Sequence, residues 1–475
     1  MPINNFLLPG AKFTPAYEVA NSCRFNGDAH LSKTPGSAGS TTTGTLSWWM
    51  KYDVATDSGG QYIYTNKDGS NKQFIVRFHN KALKVDHWNG SGYDFQKATS
   101  MLFRDPSAWY HICIKIDTGN GTAANRIKLF VNGTNVAWGD TDGTVTEDFD
   151  GNFFINASTQ IGDTIGDGAD FKGYLAEFVG IDGTAYDADS FGEFNSDSPT
   201  IWQPIDVSGL TFGTNGFWLD FEDSSNLGND KNGGTDWTEN SLAATDSTTD
   251  TPTNNWCVMQ PLDNHFAGNT YTEGNTKVVT PTGATTWNTG TFGVSTGKWY
   301  WEVNYSAKSN TNAAMIGIAE APTTSASNVL GNTSGTVNIS YYTNGYKYVS
   351  GSSSSYGDTY DSGTIIGVAL DLDNSKLYFS KDGTWQDSGD PTSGATGTGA
   401  IGITAAASTT NGFYFPAVGD FGTPTTTSIT FLLNFGNPAY SISSGNADAN
   451  GYGNFEYAVP TNYYSLCTKN LAEYG

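Results

Sequence analysis

The sequence predicts an all-β protein built from two antiparallel β-sandwich domains of the jelly-roll type, arranged in tandem behind an extended N-terminal arm. Aromatic residues make up 14% of the 475 residues and suit pleated, half-buried surfaces, while the 57 glycines suit the turns that antiparallel strands require. No apolar pattern with a helical period extends beyond a turn or two. Short alternating segments bounded by Gly, Asn and Asp recur along the chain, which is typical of antiparallel sheets.

The chain is strongly acidic, with 23 basic and 47 acidic residues and a formal net charge of −24. Such a charge argues against sequence-independent binding to nucleic acid, which depends on basic side chains, and against binding to anionic membranes. It favours high solubility, and a specific cationic partner is the alternative explanation. We therefore expect neither a nucleic-acid partner nor insertion into a membrane.

The cysteines and the N-terminal residues bear on the compartment in which the protein works. No two cysteines have CxxC spacing, so neither a zinc site nor a disulfide framework is predicted, and buried free thiols are expected at Cys23, Cys113, Cys257 and Cys467. The N-terminus lacks the basic and apolar segments of an export signal, and no apolar stretch reaches about 18 residues. Export by a standard signal is therefore not expected.

Residues 1–20 form the predicted arm. Pro2, Pro9 and Pro15 interrupt this segment, and its scattered apolar residues do not predict a packed element. An extended arm can anchor the chain to a neighbouring protein, or it can lie on its own domain. Both interpretations fit the sequence.

The first predicted sandwich spans residues 21–208. Eight or more strand patterns follow one another, including TLSWWMKYDV from Thr45, QFIVRFHN from Gln73 and WYHICIKID from Trp109. Together with the later segments KLFVNG and FKGYLAEF, this succession resembles laminin-G-like and pentraxin-like members of the concanavalin A-like superfamily. The resemblance implies a curved sandwich whose rim loops often bind sugar, sometimes through calcium.

One loop of this domain, GDTIGDGAD, contains three closely spaced aspartates, Asp163, Asp167 and Asp170. Hard oxygen ligands at short spacing are what calcium prefers, so these residues form a candidate calcium site. Asp and Gly are also ordinary turn residues, and the spacing of an EF-hand is absent. Calcium is the only cofactor that the sequence raises.

The catalytic motifs of this superfamily are missing. Its retaining glucanases carry a Glu-x-Asp-x-(x)-Glu pattern on one strand, whereas Glu177, Glu193, Glu222 and Glu302 each lack an aspartate two positions later. The histidines show no HExxH spacing, and no Walker loop or GxSxG pattern occurs. His111 lies within a strand pattern and is interpreted as a structural residue. We therefore predict that the protein is not an enzyme.

Residues 209–275 differ in composition and are predicted to form a connector with one further strand at 216–221. The segment after this strand is rich in turn-forming residues and poor in apolar anchors, as connectors and functional loops are. Its polar residues could hold a cation or form a series of Asx turns; they are Asp223, Asn226, Asp230 and Asn232.

The second predicted sandwich spans residues 276–475, and its clearest element is a hairpin within residues 363–390. Alternation places four apolar side chains of the first strand on one buried face: Ile366, Val368, Leu370 and Leu372. Asp371 and Asp373 are interpreted as turn residues, and Asp382-Gly383 is predicted to reverse the chain again. Because two strands alone are marginal in water, the hairpin requires partner strands.

The strand patterns around this hairpin carry a second resemblance. GKWYWEV and MIGIA precede the hairpin, and FYFPAV and FLLNFG follow it. This succession strongly resembles the SPRY (B30.2-like) domain. The resemblance implies a bent β-sandwich that acts as a recognition module, binds ligands with loops at one edge and performs no chemistry.

The candidate binding residues of this second domain are tyrosines in Gly- and Ser-rich sequence, where we expect exposed aromatic side chains. They are Tyr341, Tyr342, Tyr346, Tyr348, Tyr356 and Tyr360. Tyrosines in such sequence provide a large contact area at a low cost in conformational entropy. The alternative interpretation is that most of them fill gaps between strands.

The whole arrangement, including TPTNNW at 251–256 and LCTKNL at 466–471, resembles virion-surface proteins of marine bacteriophages. The resemblance implies a non-enzymatic structural protein of the virion, a tail fibre or a capsid decoration. Its recognition sandwiches would bind a glycan or protein of the host surface, and its arm would contact other virion proteins. It implies a protein that is made in the host cytoplasm, released by lysis and displayed on the virion surface; a homotrimer is expected by analogy.

Two alternatives stay open. The first is a soluble, lectin-like glycan-binding protein of a bacterium that is exported by an unconventional route. The second, less favoured, is a polysaccharide-degrading enzyme whose catalytic carboxylates include Glu177 or Glu222.

Overall fold

A computed structural model of the chain describes residues 17–53, 60–165, 170–262, 268–282, 285–321, 329–421 and 427–475. The described residues divide into two compact units, 17–253 and 254–475. Antiparallel sheets dominate both units, which confirms the all-β prediction. Residues 1–16 of the predicted arm lie outside the described residues.

The first unit contains these strands among its described residues: β1 Ser22–Asn26, β2 His30–Lys33, β3 Thr43–Tyr52, β4 Gln61–Lys67, β5 Gln73–His79, β6 Ala82–Trp88, β7 Tyr93–Thr99, β8 Trp109–Asp117, β9 Ile127–Val131, β10 Thr134–Val136, β11 Trp138–Gly143, β12 Ser158–Ile161, β13 Lys172–Asp182, β14 Gly192–Phe194, β15 Trp202–Pro204, β16 Phe217–Leu219, β17 Thr238–Asn240 and β18 Ser247–Thr248. Short 3-10 turns cover Ala123–Asn125, Ala188–Ser190 and Ala244–Asp246.

Two eight-stranded antiparallel sheets form the sandwich of the first unit. Sheet A has the order β10-β9-β8-β3-β13-β1-β18, with β16 added beside β13. Sheet B has the order β11-β7-β6-β5-β4-β12-β2-β17. Because successive side chains of a strand point to opposite faces, every second residue enters a common core, to which both sheets contribute.

This core is rich in aromatic side chains. Trp48 on β3 stacks on Phe178 on β13 with ring centroids 5.3 Å apart, and Tyr52 stacks on Phe78 at 4.3 Å. Burying each side chain of this kind contributes about 1.5–3 kcal/mol to stability, because apolar surface leaves water. The cysteines of both units are buried and unbonded, as the sequence predicts.

The two sheets differ in what lies on their outer faces. An apolar cluster that includes Val179, Ile181, Phe191 and Val207 packs on the outer face of sheet A, so the segment after β13 folds back over that sheet. On sheet B, the outward positions of β5 and β6 alternate with core residues and are mostly polar or aromatic; they include Gln73, Arg77, Lys84, Asp86 and Trp88.

Residues 209–253, which the sequence places in a connector, build part of the first unit. Strand β16 pairs with β13 and β17 pairs with β2, while Leu227 and Trp237 join the core. A buried ion pair between Lys51 and Asp250, at 2.8 Å, holds the end of this segment. The sequence does not reveal this packing, because most residues of the segment are turn formers. Only a few apolar anchors and buried polar contacts hold the long loop in place.

The second unit contains these strands among its described residues: β19 Thr270–Thr272, β20 Lys277–Val279, β21 Thr286–Thr289, β22 Lys298–Lys308, β23 Ala314–Ala319, β24 Ile339–Tyr342, β25 Tyr346–Val349, β26 Ser352–Ser355, β27 Thr364–Asp371, β28 Lys376–Lys381, β29 Thr384–Trp385, β30 Ile401–Gly402, β31 Phe415–Asp420, β32 Ile429–Asn434 and β33 Tyr464–Ser465. Short 3-10 segments cover Gln386–Ser388, Pro391–Thr396 and Ala406–Ser408, and the helix α1 covers Thr468–Tyr474.

Two sheets also form the sandwich of the second unit. Sheet C has the order β19-β20-β32-β22-β27-β28-β29, with β30 beside β28 and β33 parallel to β22. Sheet D has the order β21-β31-β23-β24-β25-β26. In the part of the chain that the structure describes, no helix is long and apolar enough to cross a membrane.

The predicted hairpin is formed by β27 and β28, with Leu370 paired to Leu377. Its alternate apolar residues are buried, as predicted. Asp371 accepts hydrogen bonds from the backbone and side-chain nitrogens of Asn374, at 3.0 and 2.8 Å, which fixes the turn. Asp382 and Gly383 both have positive φ, 46° and 80°, the combination that a tight hairpin turn requires.

Replacing Leu370 with aspartate tests whether this hairpin holds the second unit together. Leu370 is 0% exposed, so Leu370→Asp buries an unpaired carboxyl and removes core packing, and we expect a loss of stability of more than about 4 kcal/mol. Urea unfolding of the full chain, with limited proteolysis to locate the unfolded part, measures the effect. The control is Ser354→Asp on the exposed strand β26. Equal stability of the two variants would contradict the assigned role of the hairpin.

Candidate functional site

The structure divides the six tyrosines that the sequence singles out. Tyr341, Tyr356 and Tyr360 are 0%, 5% and 2% exposed and lie in the core of the second unit, so the expectation that they are exposed is wrong. Their hydroxyl groups have internal partners: that of Tyr360 donates to the carbonyl oxygen of Tyr341 at 2.8 Å, and that of Tyr356 accepts from the backbone nitrogen of Phe379 at 3.2 Å. Burial raises the pKa of all three phenols.

The other three tyrosines point outward from sheet D. Tyr341 faces the core, so alternation turns Tyr342 to the opposite face, and the pairing of β24 with β25 places Tyr346 and Tyr348 on that same face. The ring of Tyr342 lies edge-on to Tyr348 at 5.6 Å and to Phe421 at 5.3 Å. Tyr346 is 42% exposed. We call Tyr342, Tyr346, Tyr348 and Phe421 the outer tyrosine face.

The strand beside the outer tyrosine face is made of serines. Strand β26 is exposed along its whole length, and its register with β25 sets Ser355 opposite Tyr346 and Ser353 opposite Tyr348. The face therefore combines aromatic rings with a row of small hydroxyl groups. Rings can stack on sugar or peptide groups, and hydroxyl groups both donate and accept hydrogen bonds.

Two of the three aspartates of the candidate calcium site lie together, and Asp167 lies outside the described residues. Burial, and then a hydrogen bond and like charge from Asp163, raise the pKa of Asp170 to about 7. The other side of Asp163 approaches His30, with an oxygen 3.6 Å from Nδ1. Two adjacent carboxylates suit calcium, but no group of three or more His, Cys, Asp or Glu side chains among the described residues is placed to hold a metal.

Aspartates of the predicted connector accept hydrogen bonds from backbone nitrogens. Asp223 accepts a hydrogen bond from the backbone nitrogen of Ser225 at 2.9 Å, which forms an Asx turn. Asp230 is buried, accepts from the backbone nitrogen of Trp218 at 3.0 Å, and pairs with Lys33 at 3.4 Å. Their oxygens therefore have partners within the fold, as the Asx-turn interpretation predicts.

His111 and Ser47 lie within hydrogen-bond distance, yet their geometry does not activate the serine. The indole nitrogen of Trp202, which can only donate, lies 3.1 Å from Nδ1 of His111. The neutral ring therefore carries its proton on Nε2 and donates it to the Ser47 oxygen at 2.8 Å. Burial lowers the pKa of His111 to about 3, so the ring stays neutral, and its bonds make it the structural residue that the sequence predicts.

Two of the glutamates considered from the sequence have full structural roles. Glu302 is 0% exposed and accepts hydrogen bonds from the backbone nitrogens of Glu456 and Tyr457, at 2.9 and 2.8 Å. The Tyr300 hydroxyl also donates to it, at 3.0 Å. Glu193 accepts from the Gln203 amide at 3.0 Å across the β14–β15 pair. These carboxylates hold segments together.

Glu177 is different because it is a buried carboxyl beside other acids. It lies in a bulge of β13 with a φ of 47°, and it accepts hydrogen bonds from Trp218 at 2.8 Å and Tyr17 at 3.3 Å. Burial is the main reason that its pKa rises to about 7, and the neighbouring Asp220 and Glu222 add to the shift. Glu222 is exposed and pairs with Lys231 at 3.2 Å.

Sequence reasoning missed a polar cluster on the outer face of sheet B. The Arg77 guanidinium on β5 donates from Nε to Asp86 on β6 at 2.8 Å, and its other nitrogens reach the hydroxyl groups of Tyr62 at 3.2 Å and Tyr93 at 3.5 Å. The Tyr93 ring meets the Trp88 ring at 5.1 Å and 74°. The signal in the sequence is a charged residue at an outward position on each of two adjacent strand patterns, QFIVRFHN and KALKVDHW.

These features define a protein with two antiparallel β-sandwich domains in tandem, with aromatic and polar groups on outward sheet faces. Residues 25–183 match the family model described as the Concanavalin A-like lectin/glucanases superfamily, and residues 298–418 match that of the SPRY domain. The predicted order of the two domains is confirmed. Both are domains of the binding type, so a binding role is supported.

Several solved structures are similar to this chain at low identity. The SPRY domain of human HERC1 is 14% identical, with a TM-score of 0.26, and the match covers 33% of this chain and 87% of that one. The heptameric SAP-like pentraxin of Limulus polyphemus is 18% identical, with a TM-score of 0.28, and the match covers 36% of this chain and 80% of that one. Domains LG4-5 of the mouse laminin alpha1 chain are 9% identical, with a TM-score of 0.30, and the match covers 98% of this chain and 92% of that one. No match was found among curated proteins.

The raised pKa of Glu177 predicts a pH-dependent penalty in the folded state. Because the folded-state pKa of about 7 exceeds the ordinary value of 4.5, stability is lost as the pH rises between these two values. Glu177→Gln cannot ionise and keeps an acceptor for Trp218. We expect this variant to be more stable than the parent above the folded-state pKa, by on the order of 3 kcal/mol, and the difference to vanish at acidic pH.

Urea unfolding of the full chain across this pH range measures the difference. Glu193→Gln is the control, because Glu193 lies on an exposed part of β14 and glutamine keeps an acceptor for the Gln203 amide. A stability difference between Glu177→Gln and the parent that does not change with pH would contradict the assignment.

Proposed function

We propose that the protein is a non-enzymatic recognition protein that binds a glycan or protein of a host surface through outward faces of its two sandwiches. The outer tyrosine face carries this proposal, because three tyrosines and Phe421 form an aromatic surface beside an exposed serine strand. The two matched domains of the binding type support it. The geometry of His111, Ser47 and Glu302, whose polar groups are engaged by the fold, also favours binding over catalysis.

We further propose that the protein is a structural component of a bacteriophage virion, either a tail fibre or a capsid decoration. The resemblance of the whole arrangement to phage surface proteins supports this, and the net charge of −24 suits a protein displayed at high copy number. The N-terminal segment would contact other virion proteins, and the assembly would be a homotrimer. Lysis would then release the protein on the particle surface.

Mass spectrometry of purified particles tests the virion assignment. We expect the chain among the virion proteins, at a copy number that is a multiple of three. Recovery of the chain from culture medium, with purified particles that lack it, would contradict the assignment and favour the soluble lectin-like alternative.

Removing the most exposed ring of the outer tyrosine face tests the binding role. Tyr346→Ala should weaken binding to host cells or to a glycan array by about two- to twelvefold, since one aromatic contact is worth roughly 0.5–1.5 kcal/mol. Phe413→Ala, which truncates an exposed aromatic residue outside this face, is the matched control. Equal binding by both variants and the parent would contradict the assignment. Tyr356→Ala is unsuitable as a binding variant, because it would open a cavity in the core.

Calcium remains a proposal for Asp163 and Asp170. Burial and the neighbouring Asp163 raise the pKa of Asp170 to about 7, so calcium would compete with the proton that Asp170 retains below that pH. Millimolar calcium should therefore raise the melting temperature more at alkaline than at acidic pH. The effect should disappear in Asp170→Asn and should be weaker with magnesium. Identical melting curves with and without calcium at alkaline pH would refute the calcium site.

A further inference from the structure

A cleft in the first unit is lined by residues of both sheets. Its walls include Phe217 on β16 of sheet A and residues on or beside adjacent strands of sheet B. Its volume is about 250 Å³, including the open mouth. The lining residues are buried except at this mouth, which is marked by four half-buried residues: Lys33, Pro35, Ile155 and Asn215. We call this feature the inter-sheet cleft.

Strand register places four lining residues of the inter-sheet cleft in one row across sheet B. Thr159 on β12 is paired with Asn66 on β4 and with Lys33 on β2. The register of β17 with β2 continues the row to Trp237, and the Lys33 ammonium lies 5.7 Å from the centre of the Trp237 ring. Directly opposed residues of neighbouring strands lie on the same face of a sheet, so the row presents its side chains to the cleft together.

Two polar atoms at the ends of this row are buried without a hydrogen-bond partner among the described residues. They are Nε1 of Trp237 and Oδ1 of Asn66, whose residues are 3% and 1% exposed. The Thr159 hydroxyl donates to the carbonyl oxygen of Ala157 at 3.2 Å and therefore accepts from the Asn66 amide nitrogen at 2.9 Å, which fixes the amide orientation. Because burying an unpaired polar atom is unfavourable, both atoms point to a group that enters the cleft.

The two unpaired atoms restrict the chemistry of that group. The Trp237 indole nitrogen can only donate and the Asn66 amide oxygen can only accept, so the group must offer both an acceptor and a donor. A carboxylate has no proton for Asn66, and an ammonium has no acceptor for Trp237. Lys33 is already paired with Asp230, at 3.4 Å, so it does not call for an anion. A neutral carboxamide, by contrast, carries both functions.

The dimensions of the cleft favour a carboxamide over a hydroxyl group or a water molecule. Asn66 and Trp237 lie on strands three places apart in sheet B, so their backbones are roughly 14 Å apart and their polar atoms approach the cleft from opposite ends. A hydroxyl group acts from one oxygen, whereas a carboxamide accepts and donates from separate atoms. The cleft exceeds the roughly 30 Å³ of one water molecule. It is smaller than the sites of about 300–1,000 Å³ that hold drug-sized ligands, which suits a single side chain.

We propose that the inter-sheet cleft binds the side-chain carboxamide of a glutamine or asparagine residue of a partner protein. The carboxamide oxygen accepts from Trp237 Nε1, its nitrogen donates to Asn66 Oδ1, and its aliphatic part packs against the rings of Phe154 and Phe217. The net charge of −24 favours a neutral or basic segment around that residue. The site goes beyond the proposed function, because it assigns a partner's side chain to the first unit, whereas the outer tyrosine face belongs to the second.

NMR titration of the full chain with capped tripeptides tests the site. The peptides have glycine on both sides of a central glutamine, asparagine, glutamate or methionine. We expect a glutamine or asparagine peptide to shift the Trp237 indole resonance. The indoles of Trp48 and Trp301 should not shift, since they also lack partners in the part of the chain that the structure describes but do not line the cleft. The glutamate and methionine peptides should bind at least about tenfold more weakly, because they leave Asn66 Oδ1 without a donor.

Trp237→Phe separates the hydrogen bond from the packing. It keeps an aromatic ring and removes an N–H that has no partner in the described fold, so the urea midpoint should stay near that of the parent. Binding of the amide peptides, measured by saturation transfer to the peptide, should weaken by about tenfold. The matched control is Trp88→Phe on the outer face of sheet B, which should bind as the parent does.

Other outcomes overturn the site. These are equal binding of all four peptides, no shift of the Trp237 indole by either amide peptide, and unchanged binding in a folded Trp237→Phe variant. A shift caused by free propionamide but by neither amide peptide also overturns it, because the cleft would then exclude a partner's side chain. None of these results changes the effect of Tyr346→Ala on host binding, so the proposed function is tested separately.

Discussion

Alternation of side chains along a β-strand is the constraint on which the rest of this structure depends. Consecutive residues of a strand face opposite sides of its sheet, so a shift of one position moves a side chain from the core to the surface. Tyr341 and Tyr342 illustrate the effect, because the first is fully buried and the second packs on the outer face of sheet D. The same rule turns Phe74, Val76 and Phe78 toward the core and Arg77 outward. The candidate binding surfaces therefore lie on the outward faces of strands whose other residues hold the sandwich together.

Polar side chains that could take part in a reaction are held by hydrogen bonds inside the fold when they are buried. Several polar groups among the described residues are engaged in the fold: Trp202 and Ser47 fix the His111 ring, backbone nitrogens hold Glu302, and the Asp371 carboxylate closes a turn. Glu177 is also engaged, by Trp218 and Tyr17, but burial raises its pKa to about 7, so its ionisation destabilises the fold as the pH rises. These polar side chains therefore hold strands, turns and long loops in place.

The sequence alone predicts much of the fold and less of the binding surfaces. Strand alternation and turn chemistry predict the all-β class, the buried face of the β27–β28 hairpin and the turn at Asp382-Gly383, because these features depend on local patterns. The packing of residues 209–253 into the first unit depends on distant contacts such as Lys51 with Asp250, which no local pattern reveals. The six tyrosines could not be sorted without the strand registers. The Arg77 cluster, likewise, is assembled from four strands and becomes visible only once their pairing is known.

Hydroxyl-radical footprinting of the tyrosines, read by mass spectrometry, tests the central claim most directly. The claim is that alternation separates core tyrosines from binding tyrosines. We predict that Tyr93 and Tyr346 are oxidised in the free protein and that Tyr346 is protected when a glycan ligand or host-surface extract is added. Tyr341, Tyr356 and Tyr360 should stay unmodified in both states. Oxidation of Tyr356 in the free protein, or ligand binding that does not protect Tyr346, would contradict this account.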